Sequence, residues 1–155
     1  MFEGHKSKEI NRAILVGLNC PSLGGEENAS EQSLEELAAL LDTAGGVCLG
    51  TVLQNKHSPD PRTFIGEGKA EEVRELVAGL GADLVIFDNP LSPSQQRALT
   101  QTLGVTVMDR AGLILDIFAK RARTSEGRLQ VALAQYQYLL PRLTGMWKHL
   151  ERQGG

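Results

Sequence analysis

The sequence reads as an α/β protein: a four-stranded, mostly parallel sheet flanked by helices and followed by a helical arm. Three observations carry that reading. Four short apolar runs alternate with helical patterns up to Arg110, as consecutive strand–helix–strand units require. The runs are nearly continuous in apolar residues rather than alternating, which fits strands covered on both faces. From Ala111 onward helix follows helix with no further strand. The expected division is a sheet domain over residues 1–110 and an arm over residues 111–155.

The first strand is AILVGL, Ala13 to Leu18. Ser33 with Glu36 three residues on forms a capping box for the helix that follows; Leu34, Leu37, Leu40 and Leu41 form its stripe, and Gly45 and Gly46 stop it. The second strand is VCLGTVL, Val47 to Leu53. A second helix is expected from about Ala70 to Leu80, with Val73, Leu76, Val77 and Leu80 as its apolar face and Gly81 behind it. After the third strand, Asp83 to Phe87, a helix opens with Ser92 as cap, Pro93 at its first position and Gln95 reaching back, and it ends at Gly104. The fourth strand is VTVM, Val105 to Met108.

In the arm, one helix covers roughly Gly112 to Ala122, and a longer one opens near Glu126 and runs toward Arg152. Along it Leu129, Leu133, Tyr136, Leu140, Leu143, Trp147 and Leu150 recur at spacings of four and three, the seam that a helix presents to a partner helix. Pro141 interrupts this pattern and predicts a kink or break near Leu139 to Arg142, because proline removes one N–H and crowds the preceding turn.

A chain of 155 residues with 41% hydrophobic and 23% charged residues has enough apolar side chain for one packed core, which excludes a disordered chain. Its two cysteines, Cys20 and Cys48, form no CxxC pair and have no histidine beside them, which excludes a zinc site or disulfide framework; both are expected to be reduced and buried. No segment approaches the roughly 20 apolar residues of a membrane span, and MFEGHKSKEINR at the start has no apolar stretch after its charges, so the cytoplasm is the expected location. The net charge of −3 is unevenly spread. Up to Asp109 there are 8 Lys and Arg against 16 Asp and Glu, whereas from Arg110 there are 8 against 3. An acidic body with a basic arm suits a protein that meets nucleic acid with one end, since phosphate neutralisation is local.

Lys120, Arg121, Arg123 and Arg128 flank Thr124 and Ser125 in the turn expected between the two arm helices. Cations there would neutralise phosphates while hydroxyls donate to them, a sequence-independent mode suited to folded RNA. Arg142, with Lys148 and Arg152, would extend the patch; the bland alternative is a solvated charged face. Gly66, Gly68 and Lys69 stand just before or within a helix start, where free amides and an ammonium could hold a phosphate. Against that, GEGK is no Walker loop, Glu67 opposes an anion, and glycines equally serve a tight strand-to-helix turn, the preferred reading.

Asn19, Asp88, Asn89 and Asp109 fall at the carboxyl ends of strands, where open parallel sheets place a ligand crevice. No histidine or basic partner is read beside them for acid–base work, so capping and turn formation are expected. No catalytic set and no metal site emerges, and His5, His57 and His149 are expected to be solvated. Tyr136 and Trp147 lie on the seam and are expected to pack, whereas Tyr138 lies off it and remains open to base stacking.

The wording of the longer segments adds to this. RTFIGEGKAEEV (Arg62 to Val73), VIFDNPLSPSQQRAL (Val85 to Leu99), VMDRAGLILDIFAKRARTSEGRLQVALAQYQYLLPRLTGMW (Val107 to Trp147) and the terminal ERQGG closely resemble the amino-terminal domain of the HflX family of ribosome-associated GTPases. The resemblance implies a ribosome-binding and regulatory domain whose partners are the large ribosomal subunit, its rRNA and a G domain of the same protein. It also implies that the chain continues past the double glycine, through a glycine-rich basic loop, to a second long helix that pairs with the first. No GxxxxGK[ST] motif occurs, so GTP and Mg are expected only for that G domain, and neither cofactor nor catalysis is expected of these residues. The alternative is an ATP- or GTP-binding α/β domain using the Gly66 to Lys69 turn. Deprived of its partner helix, the seam at Leu129, Leu133, Tyr136 and Leu140 is expected to drive self-association.

Overall fold

Each apolar run becomes a strand in a computed structural model of the chain, which describes residues 11–23, 27–122 and 124–154, with side chains as far as Pro141. The elements run β1 (Arg12–Asn19), α1 (Glu31–Thr43), β2 (Val47–Asn55), α2 (Glu67–Leu80), β3 (Leu84–Phe87), α3 (Pro93–Leu103), β4 (Thr106–Asp109), α4 (Arg110–Arg121) and α5 (Ser125–Gly154). The sheet order is β2-β1-β3-β4 with every pair parallel. From β1 the chain first steps to one side, then crosses to the other, which puts the topological switch point between β1 and β3.

Alternate residues of β1 divide the core into two layers. Ile14, Val16 and Leu18 pack with Phe87 of β3 beneath Val73 and Val77 of α2 and Leu99 and Leu103 of α3. Ala13 and Leu15 face the other way, with Ile86 and Met108, under Leu37 and Leu41 of α1 and Leu113 and Ile117 of α4. The inner strands β1 and β3 are therefore covered on both faces, as their continuous apolar runs require. β2 reads the same way in sequence, yet lies at an edge and is half-exposed along its length. Cys48 on β2 is accordingly exposed, and only Cys20 is buried as expected.

Other departures have local causes. The cap of α1 is Ser30, not Ser33: Ser30 Oγ accepts from Ser33 N, and Ser33 Oγ accepts from Ser30 N, so Ser33 is the third residue of the helix. α2 starts three residues before Ala70, because Gly66 at φ 86° turns the chain directly into the helix. α4 starts at Arg110 under an Asp109 cap, and its Leu113 and Ile117 sit in the core. A boundary at residue 110 thus cuts through packed structure, and the packed unit extends to the end of α4. α5 continues through Pro141 without a break. The carbonyl that Pro141 leaves without an N–H belongs to the exposed Gln137, where water can take over.

Candidate functional site at the strand ends and the arm

The carboxyl ends of the strands carry a line of polar side chains, each placed by the residue before it emerging from an apolar strand. Asn89 is 1% exposed and spans the switch point. Its Oδ1 accepts from Leu18 N at 2.8 Å, and its Nδ2 donates to Leu18 O at 3.0 Å and to Glu27 O at 2.6 Å. The place where a parallel sheet would open a ligand crevice is occupied by this amide. Beside it, Asn28 Nδ2 donates to Asn19 Oδ1 and Asn19 Nδ2 to Asn55 Oδ1, at 2.8 and 2.9 Å. The Cys20 thiol lies 2.9 Å from Ser22 Oγ and donates to His57 O at 3.1 Å. The hydrogen bond with Ser22 lowers its pKa, against burial, which raises it.

Asp88 is 8% exposed and fully paired. Arg110 Nε donates to its Oδ1 at 2.8 Å, joined by Nη2, while Ser33 Oγ donates to its Oδ2. Arg110 Nη2 also donates to Ser33 O at 2.8 Å, so one guanidinium ties α1, β3 and α4 together. Asp109, 2% exposed, caps α4 by accepting from Gly112 N on Oδ1 at 3.1 Å, and takes Leu91 N on Oδ2 at 3.1 Å. Tyr138 of α5 donates its hydroxyl to the same Oδ1 at 2.6 Å. The four strand-end residues are thus brought to one edge, but only Asp109 caps a helix: Asn89 bonds to backbone, Asn19 pairs with Asn28 and Asn55, and Asp88 with Arg110. Arg110 and Tyr138 were missed as their partners: Arg110 directly follows Asp109 in sequence, whereas nothing local marks Tyr138 as a strand-end ligand.

The loop into α2 is built on Asp60, whose Oδ1 accepts from Thr63 N at 2.7 Å, Arg62 N at 2.8 Å and Thr63 Oγ1 at 3.1 Å. The Thr63 amide leads in holding its carboxyl below the usual range, against burial. Phe64 takes φ 65° to bury its ring edge-on against Phe87, centroids 6.3 Å apart. Gly66 caps α2 without a side-chain bond. Lys69 Nζ sits 2.8 Å from Glu72 Oε2, and Glu67 lies 3.3 Å from Arg62. The cation beside Gly66 is Lys56, its Nζ 3.8 Å from where a Cβ would stand. Of the expected phosphate set, Lys69 is therefore directed at a carboxylate, while Gly68 is exposed.

At the joint between α4 and α5, Arg121, Ser125 and Arg128 are exposed, and Thr124 Oγ1 accepts from Gly127 N at 2.9 Å to start α5. Lys120 has a structural engagement, 3.3 Å from Asp116 and donating to Ala44 O at 3.4 Å. Arg123 and the side chains of Arg142, Lys148 and Arg152 lie outside the described residues, as do those of Leu143, Trp147, Leu150, His5 and His149. His57 is exposed. On the seam, Leu129 is 62% exposed, Leu133 54%, Tyr136 63% and Leu140 58%. Tyr136 is therefore not packed: α5 turns the opposite face, with Tyr138, toward α3 and α4. Among the described residues there is no cluster fit for a metal and no helix long and apolar enough to cross a membrane.

Residues 31–119 match the family described as GTP-binding GTPase N-terminal, and residues 121–155 match the GTP-binding GTPase middle region. GTPase HflX of Escherichia coli is 49% identical over 155 residues, which is 100% of this chain and 35% of that protein. The chain belongs to the HflX family. A second HflX relative, from Alkalihalophilus pseudofirmus, is 46% identical over 150 residues, covering 97% of this chain and 35% of its own length. The chain thus spans 35% of the length of these HflX relatives. A solved GTP-binding protein from the archaeon Sulfolobus solfataricus in complex with GDP superposes with a TM-score of 0.64 at 25% identity, covering 93% of this chain and 42% of that one. A structure described as SsGBP and GDP complex gives 0.68 at 22% identity, over 88% and 37% of the two chains, and supports the fold. The two family regions meet between residues 119 and 121, next to the joint where α4 leaves the core and α5 begins.

Proposed function

We propose that this HflX chain is a ribosome-docking and regulatory domain that acts in the cytoplasm by positioning rather than by chemistry. Its arm meets rRNA phosphates of the large subunit. GTP and Mg are handled by a G domain of the full-length protein, to which the sheet unit relays the contact. The observation that carries this is the exposure of Arg121 and Arg128 on either side of Thr124 and Ser125, at the joint between the two family regions. Exposed guanidiniums beside hydroxyls recognise a phosphate backbone without reading sequence. Arg123 and Arg142 belong to the same proposed surface, and Lys120 stands behind it, bracing α4 against the end of α1. The nucleotide-binding alternative at Gly66, Gly68 and Lys69 is not adopted, because Lys69 is paired with Glu72 and Glu67 adds negative charge to the first turn.

The test titrates purified large subunits with the full-length protein over a range of salt. Arg121→Gln with Arg128→Gln is expected to weaken binding and to flatten the slope of log affinity against log salt by about 2, roughly 1 for each lost phosphate contact. Unchanged affinity and slope in the double variant sink the reading.

A further inference from the structure

Over residues 125–141, where its side chains are described, α5 has no fully buried residue and none that belongs to either core layer. The face it lays on α3 and α4 offers half-buried Val131, Ala134, Gln135, Tyr138 and Leu139, while Leu129, Leu133, Tyr136 and Leu140 point away. A helix attached this lightly takes its angle from its directional contacts. The hydroxyl of Tyr138, 2.6 Å from Asp109 Oδ1 at the end of β4, is such a contact. We propose that Tyr138 and Asp109 form a latch that sets the angle of α5 on the sheet unit, and that it opens without unfolding either part.

Three observations support a latch over a fixed joint. First, Asp109 keeps its partners when the phenol leaves: Gly112 N remains on Oδ1 and Leu91 N on Oδ2, so release strands no buried charge. The phenol, being half-buried, exchanges the carboxylate for water. Second, the seat is shaped for the ring. A Cβ at Gly112 would stand 2.9 Å from the Tyr138 hydroxyl oxygen and 3.3 Å from Cζ, so a larger residue there forces the phenol to shift from its present place. Third, the chain has a pivot. α4 ends at Ala122 with extended backbone, φ −68° and ψ 122°, and α5 restarts with its own Thr124 cap, so no helical hydrogen bond needs to break for α5 to tilt. The outward stripe gives any partner of α5 a hold on the helix that leaves Tyr138 untouched.

The experiment measures distances between spin labels at Gln101 on α3 and Gln137 on α5 in the intact chain, with Cys48→Ser to keep labelling specific. Tyr138→Phe removes the hydroxyl and Gly112→Ala blocks the seat. Each is expected to shift the closed-to-open ratio toward a longer distance by about tenfold or more, the fold-change of a lost hydrogen bond to a carboxylate. A control pair at Glu75 and Gln101, within the sheet unit, is expected to keep its wild-type distance. Wild-type Gln101–Gln137 distributions in both variants overturn the latch. So does a parallel change in the control pair, which would show that the hydroxyl holds the sheet unit itself. No ribosome enters the measurement, so its outcome is separable from that of the rRNA reading.

Discussion

Asn89 closes the switch point with three hydrogen bonds to backbone, two of them to a residue 71 positions earlier. Replacing it by alanine takes the Asn89 acceptor from the buried Leu18 amide and the Asn89 donor from Glu27 O, while Leu18 O keeps Ala29 N, at a cost of about 1–3 kcal/mol. Urea unfolding of Asn89→Ala measures this; a loss below about 0.5 kcal/mol, the usual range of a surface change, would refute the clamp. Its sequence position announced a strand-end polar residue but not the reach across to β1, because a side chain's long-range partner leaves no local trace. Asp60 is the opposite case, since Asp followed by Arg62 and Thr63 amides is a local turn. Its folded pKa lies below its unfolded value, so the stability it contributes is present above the unfolded carboxylate range, near pH 4, and is lost as pH falls through the folded pKa. Asp60→Asn is therefore expected to be less stable than wild type at pH 7, with the gap closing below about pH 4. Stability curves that stay parallel down to pH 3 would dismiss the assignment.

Helix caps were readable where one residue could serve and misread where two could. Ser92, Pro93 and Gln95 form the reciprocal cap of α3 as their spacing predicts. At α1, Ser30 and Ser33 both qualify, and the choice is tipped by Asp88, 55 residues on, which takes the Ser33 hydroxyl. The start of α2 was set by a glycine with positive φ, which side-chain cap rules do not register. The seam of α5 was visible from periodicity alone, and each of its four described members is more than half exposed. Such a stripe in water favours burial against another copy. The chain by itself is expected to self-associate through α5 in sedimentation at high concentration, and Leu133→Glu with Leu140→Glu to restore a monomer. A clean wild-type monomer under those conditions would end that expectation.

The alternation of strands and helices was enough to foresee the sheet, its parallel sense and its helical layers, because each crossover must cover a face. Strand order was not, since an edge strand and a central one can carry equally apolar runs, as β2 and β1 do. The limit of the packed unit was misplaced for a related reason: α4 is basic at its end yet buries Leu113 and Ile117, so charge and packing give different boundaries. Of the expected basic patch, Arg121 and Arg128 stand free of the core, while Lys120 proves to brace α1.

Helix α5 runs from Tyr138 a further sixteen residues to Gly154. At a rise of 1.5 Å per residue that is roughly 24 Å of stiff rod beyond the phenol. A tilt of about 10° about the joint where α5 begins at Ser125 moves the Tyr138 position by about 3 Å and the far tip by about 8 Å, more than a single helical turn. The rod is thus a mechanical amplifier, converting the gain or loss of one short contact into a displacement large enough to make or miss an encounter at its tip.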